Sequence, residues 1–279
     1  MSPGKAKPPP AVADDYRRAS DDLLRRLAAD AGALALVSEL EHLIRVEQEA
    51  GIPAELRLSA RLAAARAPLP RRTALISDIH GHLPGLLAAL ADIETQSWDA
   101  VVCLGDLVEG GTDDEAVVET LAARGIPCVR GNHDEFNDVV LSAGARGFLA
   151  GLPERRVAGE ALYVHISPRR INRKIDHVVE AWNVFDENPS RLTFVGHVHI
   201  PHIFGKRSTT YGEATRHAFA YNRPFAFSPD DSYIVSIGAV GYGRDLVGKI
   251  RYAIYDREAG SVEIRAIDGP LLPLDHALR

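Results

Sequence analysis

From Arg72 onward the chain predicts an α/β sandwich with a mixed sheet, and three observations carry that expectation. Short apolar strands alternate with helical stretches from Arg72 to about Val195. The last part, from about Tyr233, reads as strand after strand. Everything before Arg72 has helical periodicity or no periodicity at all. Repeated strand–helix units followed by strands are the pattern of such a sandwich.

Taken in order, residues 1–13 read as a disordered tail, because Pro8-Pro9-Pro10 blocks a helix and nothing there can pack. Residues 14–70 read as a helical extension and linker. Leu23, Leu27, Leu34, Val37, Leu40 and Ile44 recur at spacings of three, four or seven and form one apolar stripe. Gly51-Ile52-Pro53 breaks that pattern, a second Ala- and Arg-rich helix follows to about Ala65, and Ala67-Pro68-Leu69-Pro70 forms the linker. This pair of helices is expected to pack on the main domain or on a second copy of the chain. Residues 71–279 read as the main α/β domain. Its strands are read at Thr73–Ile76, Ala100–Leu104, Ile126–Val129, Ala161–Ile166, Leu192–Val195, Tyr233–Ile237, Ile250–Tyr255 and Val262–Ile267. Helices are read after the first two, one with an apolar face of Leu83, Leu86, Leu87, Leu90 and Ile93, the other opening on a capping box at Thr112-Asp113-Asp114-Glu115.

Bulk composition narrows the function. A net charge of −6 argues against a dedicated nucleic-acid binder, which would carry a basic stripe. Two cysteines, Cys103 and Cys128, are too few for a disulfide framework, and each is expected to act as a small buried hydrophobe. The N-terminus is no secretory signal, and no stretch approaches the roughly 20 apolar residues of a membrane span, so a cytoplasmic location is expected.

Five short stretches carry the chemistry: Asp78-Ile79-His80, Gly105-Asp106, Gly131-Asn132-His133-Asp134, His165 and Gly196-His197-Val198-His199. Each follows an apolar strand, and in open α/β folds ligands bind just beyond the carboxyl ends of strands. Together they supply three carboxylates, one amide oxygen and five imidazoles, enough donors for two divalent ions sharing one carboxylate. Asp78 and His80, two residues apart, can turn toward one ion, and Asp106 can bridge two. The glycines at 105, 131 and 196 are expected to supply the sharp bends.

In this order the stretches resemble the calcineurin-like metallophosphoesterase superfamily, whose signature is D-x-H, G-D, G-N-H-D/E, H and G-H-x-H. The resemblance spans roughly residues 73–256. It is closest to the compact bacterial and archaeal phosphodiesterase-like members, through Ser77-Asp78-Ile79-His80-Gly81, Ser236-Ile237-Gly238-Ala239-Val240-Gly241, Arg244 and Tyr252-Ala253-Ile254-Tyr255. It implies a four-layer α/β-β-α sandwich of mixed sheets with a dinuclear centre. One ion would take Asp78, His80 and His199, the other Asn132, His165 and His197, with Asp106 between them. Departures narrow the reading. Glu109 stands where the protein phosphatases have a second Asp, and Gly110 where they have an Arg that grips phosphate, so a Ser/Thr protein phosphatase is not expected.

The implied cofactors are two divalent ions, Mn, Fe, Zn, Ni or Co. Two such ions would lower the pKa of a bridging water, which is expected to supply the hydroxide for in-line attack on phosphorus. His133 is the expected general acid for the leaving alcohol, its other nitrogen held by Glu109 or by Asp134. The expected partner is a small phosphomonoester or phosphodiester. A catalytically silent scaffold on the same fold and a nuclease are the rival readings. Arg169, Arg170, Arg173 and Lys174 are candidates for gripping phosphate or a solvated basic turn; His82 either faces the substrate or bonds at a helix start, and His202 faces solvent or the pocket rim. The aromatics of 205–231 either line a ring site or pack over the sheet.

Overall fold

A computed structural model describes residues 15–23, 42–47, 58, 69–169, 171, 173–188, 190–207, 213–246, 248–270 and 272. The chain divides into two compact units, Met1–Pro68 and Leu69–Arg279. In the first, residues 15–23 and 42–47 are helical. Leu23, Leu43 and Leu58 are buried there, and the Tyr16 hydroxyl donates to the Glu47 carboxylate while accepting the Leu58 N–H at 2.9 Å. Ile44 of the apolar stripe is half-buried, while the tail at 1–13, Leu27, Leu34, Val37 and Leu40 of the stripe and the break at residues 51–53 lie outside the described residues.

The second unit is built on two sheets. The first comprises β1 (Arg72–Ile76), β2 (Ala100–Cys103), β8 (Pro224–Ala226), β10 (Lys249–Asp256) and β11 (Ser261–Asp268), in the order β2-β1-β10-β11-β8. Only β1 and β2 run parallel in it. The second comprises β3 (Arg155–Ala158), β4 (Ala161–Val164), β5 (Leu192–Val195), β6 (His202–Lys206), β7 (Thr215–His217) and β9 (Ser232–Ser236), in the order β3-β4-β5-β9-β6-β7. Its three central strands are parallel, which requires them to be covered on both faces, and all of β4 and β5 is buried.

Three apolar clusters give the layering. Leu75, Val102, Phe194, Val235 and Tyr255 fill the space between the sheets. Leu86, Leu90 and Ile93 of α1 (Leu83–Glu94), Val117, Val118 and Leu121 of α2 (Asp114–Ala123) and Ala145 and Leu149 of α4 (Ala143–Ala150) cover the outer face of the first sheet. Ala181, Val184 and Phe185 of α5 (Val178–Glu187) cover the outer face of the second. The result is the four-layer α/β-β-α sandwich. A one-turn helix, α3 (Asn132–Glu135), lies between α2 and α4. Among the described residues no helix is long and apolar enough to cross a membrane.

Two expectations change, and one open alternative is decided. Ile126–Val129 is not a strand: only the bridge between Cys103 and Cys128 forms, because Pro127 has no N–H to continue a ladder. The helix expected at Thr112 starts at Asp114, and its N-cap Asp113 makes no side-chain cap bond. Glu115 does not close a capping box either; its carboxylate holds the Ser142 N–H at 2.9 Å at the start of α4. The aromatics Phe219, Tyr221, Phe225 and Phe227 belong to the core between the sheets, so packing is their role; Tyr211 lies outside the described residues.

Candidate metal centre

Asp78, Asp106, His165 and His197 each come within a few residues of the end of β1, β2, β4 or β5, so the topology alone gathers them at one edge of the sandwich. Backbone bonds stitch the first two loops together, among them Asp78 N–H to the Gly105 carbonyl at 2.9 Å and Ile79 N–H to the Asp106 carbonyl at 2.8 Å. Asp134, on α3, draws in the third. Its carboxylate accepts the N–H groups of Asp106 (3.0 Å), Leu107 (2.7 Å) and Gly131 (2.8 Å). Burial and the neighbouring Asp106 carboxylate push the Asp134 carboxyl up to about 6, against the pull of its N–H donors. The fourth loop is held by the Asp78 carboxylate, which accepts the His197 N–H at 2.9 Å.

The bends fall in an unexpected place. Gly105 has φ +95°, but Gly131 has φ −92°, and Gly196 is not among the positive-φ residues. The left-handed backbone sits instead on Asp78, His80, Asp106, His197 and His199 themselves, with φ between 53° and 67°. Non-glycine residues adopt this region rarely and at a cost of about 1 kcal/mol each. Gly131 and Gly196 serve close approach. A Cβ at Gly131 would lie 2.1 Å from Asp106 Oδ1, and one at Gly196 2.0 Å from Ser77 Oγ.

The geometry of the donors tests whether metal ions fit. His80 Nδ1–H donates to the Glu109 carbonyl (2.8 Å), His165 Nδ1–H to Leu104 (2.7 Å) and His199 Nδ1–H to Tyr242 (2.9 Å). With Nδ1 protonated, each Nε2 presents a lone pair, and these lone pairs converge. His80 and His199 bring Nε2 atoms to 3.2 Å, and His199 Nε2 lies 3.3 Å from Asp78 Oδ1. His165 Nε2 lies 2.9 Å from Asp106 Oδ2, is buried, and has no hydrogen-bond partner. His197 Nδ1 and Asn132 Oδ1 are 3.0 Å apart. Nitrogen and oxygen ligands stand about 2.0–2.2 Å from a divalent transition metal, so two on one ion are separated by roughly 3.0–3.5 Å. The residues fit.

Donor atoms fall within 4.8 Å of one another in three sets: Asp78, His80 and His199; Asp106, His165 and His197; and His80, Asp106 and His133. Asp106 belongs to two of these sets, and its Oδ2 lies 3.8 Å from His80 Nε2 as well as 2.9 Å from His165 Nε2. Burial pushes the His80 and His197 imidazoles down to about 4. Burial alone would raise the Asp78 carboxyl, but the imidazoles of His199, His165 and His80 hold it well below the usual range. In His165 burial is outweighed by the Asp106 carboxylate, which lifts that imidazole to about 9. A proton there occupies the place between two donors that a cation would take.

His133 stands apart, with its side chain 38% exposed. Its Nδ1–H donates to Glu109 Oε2 at 2.6 Å, leaving Nε2 toward the cluster, 4.0 Å from Asp106 Oδ2. Of the two expected holders, Glu109 reaches His133 and Asp134 does not. Arg169 is taken up by Glu180 and Glu187, and Lys174 pairs with Asp176 at 2.8 Å. Arg170 lies outside the described residues. His82 is buried at the N-cap of α1, and His202 is buried with Nδ1 2.8 Å from the Arg216 guanidinium. Sequence reasoning missed the three carbonyls that orient the imidazoles; a main-chain oxygen leaves no residue-type signal. Tyr242, whose ring centroid is 4.4 Å from that of His199, was missed too.

Comparison with known proteins agrees with this geometry. The family model of the calcineurin-like phosphoesterases matches residues 71–235. An uncharacterized protein of Methanocaldococcus jannaschii is 28% identical over 223 residues, covering 70% of this chain and 86% of its own. The crystal structure of a metallophosphoesterase from Sphaerobacter thermophilus superimposes with a TM-score of 0.63 at 29% identity, over 71% of this chain and 89% of that one. A hypothetical protein from Pyrococcus horikoshii shares the fold at TM-score 0.55 and 15% identity, over 74% and 95%. With the ordered loops, the sandwich and a match across more than half its length, the chain belongs to the calcineurin-like phosphoesterase family.

Proposed function

We propose that the protein is a metal-dependent hydrolase of a small phosphomonoester or phosphodiester. The observation that supports it best is the pair of Nε2 lone pairs on His80 and His199, 3.2 Å apart in a buried site with both Nδ1 atoms committed elsewhere. Only a proton or a cation makes that arrangement favourable. In this reading Asp78, His80 and His199 would hold one divalent ion and Asn132, His165 and His197 a second, with Asp106 available to both. Bound there, Mn, Fe, Zn, Ni or Co ions supply Lewis acidity, making hydroxide available near neutral pH and neutralising charge on the phosphoryl oxygens.

The remaining chemistry falls to the chain. His133 delivers a proton from Nε2 to the departing alcohol oxygen, and the Glu109 carboxylate stabilises the imidazolium that carries it. Asp134 keeps the Asp106 and Asn132 loops in contact, so both donors hold their positions through turnover.

Purified protein supplied with Mn²⁺ is expected to cleave bis-p-nitrophenyl phosphate or p-nitrophenyl phosphate, and Asp106→Asn to remove most of that activity. Failure of the metal-loaded protein across a broad panel of phosphoesters would establish the scaffold reading instead.

A further inference from the structure

Two clefts open from the donor cluster. One, of about 220 Å³, contains His133 together with Asp106, His197 and His199 and is walled by Tyr242 and Arg244. The other, of about 330 Å³, opens on the side of Asn132 and His165. A phosphomonoester brings one carbon-bearing group to phosphorus, a diester two. Because His133 stands in the first cleft, the alcohol it protonates departs there. Nothing about the leaving group requires the second.

The second cleft has its own chemistry. Phe136, the residue after α3, is 74% exposed in its wall. Its ring is thereby placed four residues from Asn132. Arg155 lies on β3, an edge strand of the second sheet, in register with Val164, the residue before His165. Strand pairing therefore sets its backbone beside the chain that leads into His165, and Arg155 lines the same cleft as Asn132 and His165. The other arginines of this cleft are neutralised: Arg130 meets Glu154 at 3.2 Å, and Arg169 pairs with Glu180 and Glu187. Arg155 makes no side-chain hydrogen bond or ion pair with another described residue, although it lines the cleft with Phe136. The cleft thus combines an open aromatic face and a free, rigid fork of donors, the two elements that recognise a heteroaromatic ring by stacking and by hydrogen bonding to its acceptors. Its volume lies within the range of small-molecule pockets, about 300–1,000 Å³.

We infer that this cleft is the subsite for the ester group that stays on phosphorus, and that the group carries a heteroaromatic ring of the nucleobase kind, stacked on Phe136 with its ring acceptors facing Arg155. The inference rests on the hydrolase reading and narrows its substrate to a phosphodiester. Hydrolysis breaks the bond from phosphorus to the alcohol in the His133 cleft, and a water oxygen takes its place. The monoester product keeps its ring in the Phe136 cleft.

The test uses three p-nitrophenyl phosphodiesters with one leaving group and different retained groups: methyl, phenyl and thymidine-5′. The wild-type Mn²⁺-loaded protein should give kcat/KM values rising from methyl to phenyl to thymidine. Phe136→Ala should raise KM about five- to tenfold for the phenyl and thymidine esters, with kcat and the methyl ester unchanged. Arg155→Gln should weaken the thymidine ester alone. Equal kcat/KM for all three esters in the wild type, or an equal loss on all three in Phe136→Ala, would overturn the assignment. A second arm needs no turnover: calorimetric binding of phenylphosphonate and methylphosphonate to the same protein. Wild type should favour the phenyl compound about five- to tenfold, and Phe136→Ala should lose the preference. Preference without hydrolysis of any ester would sink the hydrolase reading and keep the subsite. Hydrolysis of all three esters with no preference in either arm would sink the subsite and keep the hydrolase.

Discussion

Four of the five imidazoles of the centre have their tautomer set by one contact. For His80, His165 and His199 that contact is a backbone carbonyl, so no single substitution removes it directly. For His133 it is the Glu109 side chain, which can be changed. Replacing His133 with Ala should slow alkyl esters, whose leaving groups need a proton, by about 10²-fold or more. p-Nitrophenyl esters, whose leaving group departs unaided, should lose less than about tenfold. Equal losses on both would remove the acid assignment. Glu109→Gln keeps an acceptor but discards the charge that supports the imidazolium, and should lower kcat about tenfold while metal affinity, read by calorimetry, stays constant. A fall in affinity would instead make Glu109 a support of the His80 side through its carbonyl loop.

The loop from Ile237 to Leu246, between β9 and β10, shows how an element serves the site. Its Tyr242 carbonyl orients His199, and its Arg244 N–H donates to the His199 carbonyl at 3.2 Å. The loop is tied down by Asp245, which meets Arg251 of β10 at 2.8 and 3.1 Å; Arg251 is fully buried, and its guanidinium also lies 5.3 Å from the Tyr221 ring centroid. Arg251→Met leaves the Asp245 carboxylate without its counter-charge, held only by the Tyr221 hydroxyl, and should cost about 3–5 kcal/mol in urea unfolding. Calorimetric titration should show the ion on the His199 side weakened and the other unaffected; equal weakening of both would make the effect merely structural. Nothing in Arg251 or Asp245 marked them in the sequence, since their partnership depends on how a loop folds back. The seven expected donors were legible from their fixed order, six of them just beyond apolar strands and Asn132 beyond the apolar stretch that forms only the Cys103–Cys128 bridge. The short edge strands β3, β7 and β8 were not: at three or four residues, mostly exposed, they carry too little apolar alternation to read, and their pairing partners define them. Phe136 escaped for a similar reason. One aromatic in a polar loop acquires meaning only from the cleft it lines.

At the scale of the whole molecule, the sandwich ends in a cluster of buried donors whose lone pairs face one another. Divalent ions bound to the folded state alone raise its stability by mass action, about 2.7 kcal/mol at a hundredfold excess over Kd. For a unit of this size that is an increase in Tm of about 5–10 °C on adding Mn²⁺, reversed by a chelator. No shift with any divalent ion would remove the dinuclear assignment. The same cluster carries its cost in the main chain. Asp78, His80, Asp106, His197 and His199 all hold left-handed backbone that a glycine would adopt without strain. Fold and ligation therefore pull in opposite directions at these five positions. In the presence of chelator, Gly should be better tolerated than Ala at each of them by thermal denaturation. A chain of this fold that bound no metal would lose nothing by carrying Gly or Asn at those sites, so Asp and His there are explained by ligation and not by the architecture.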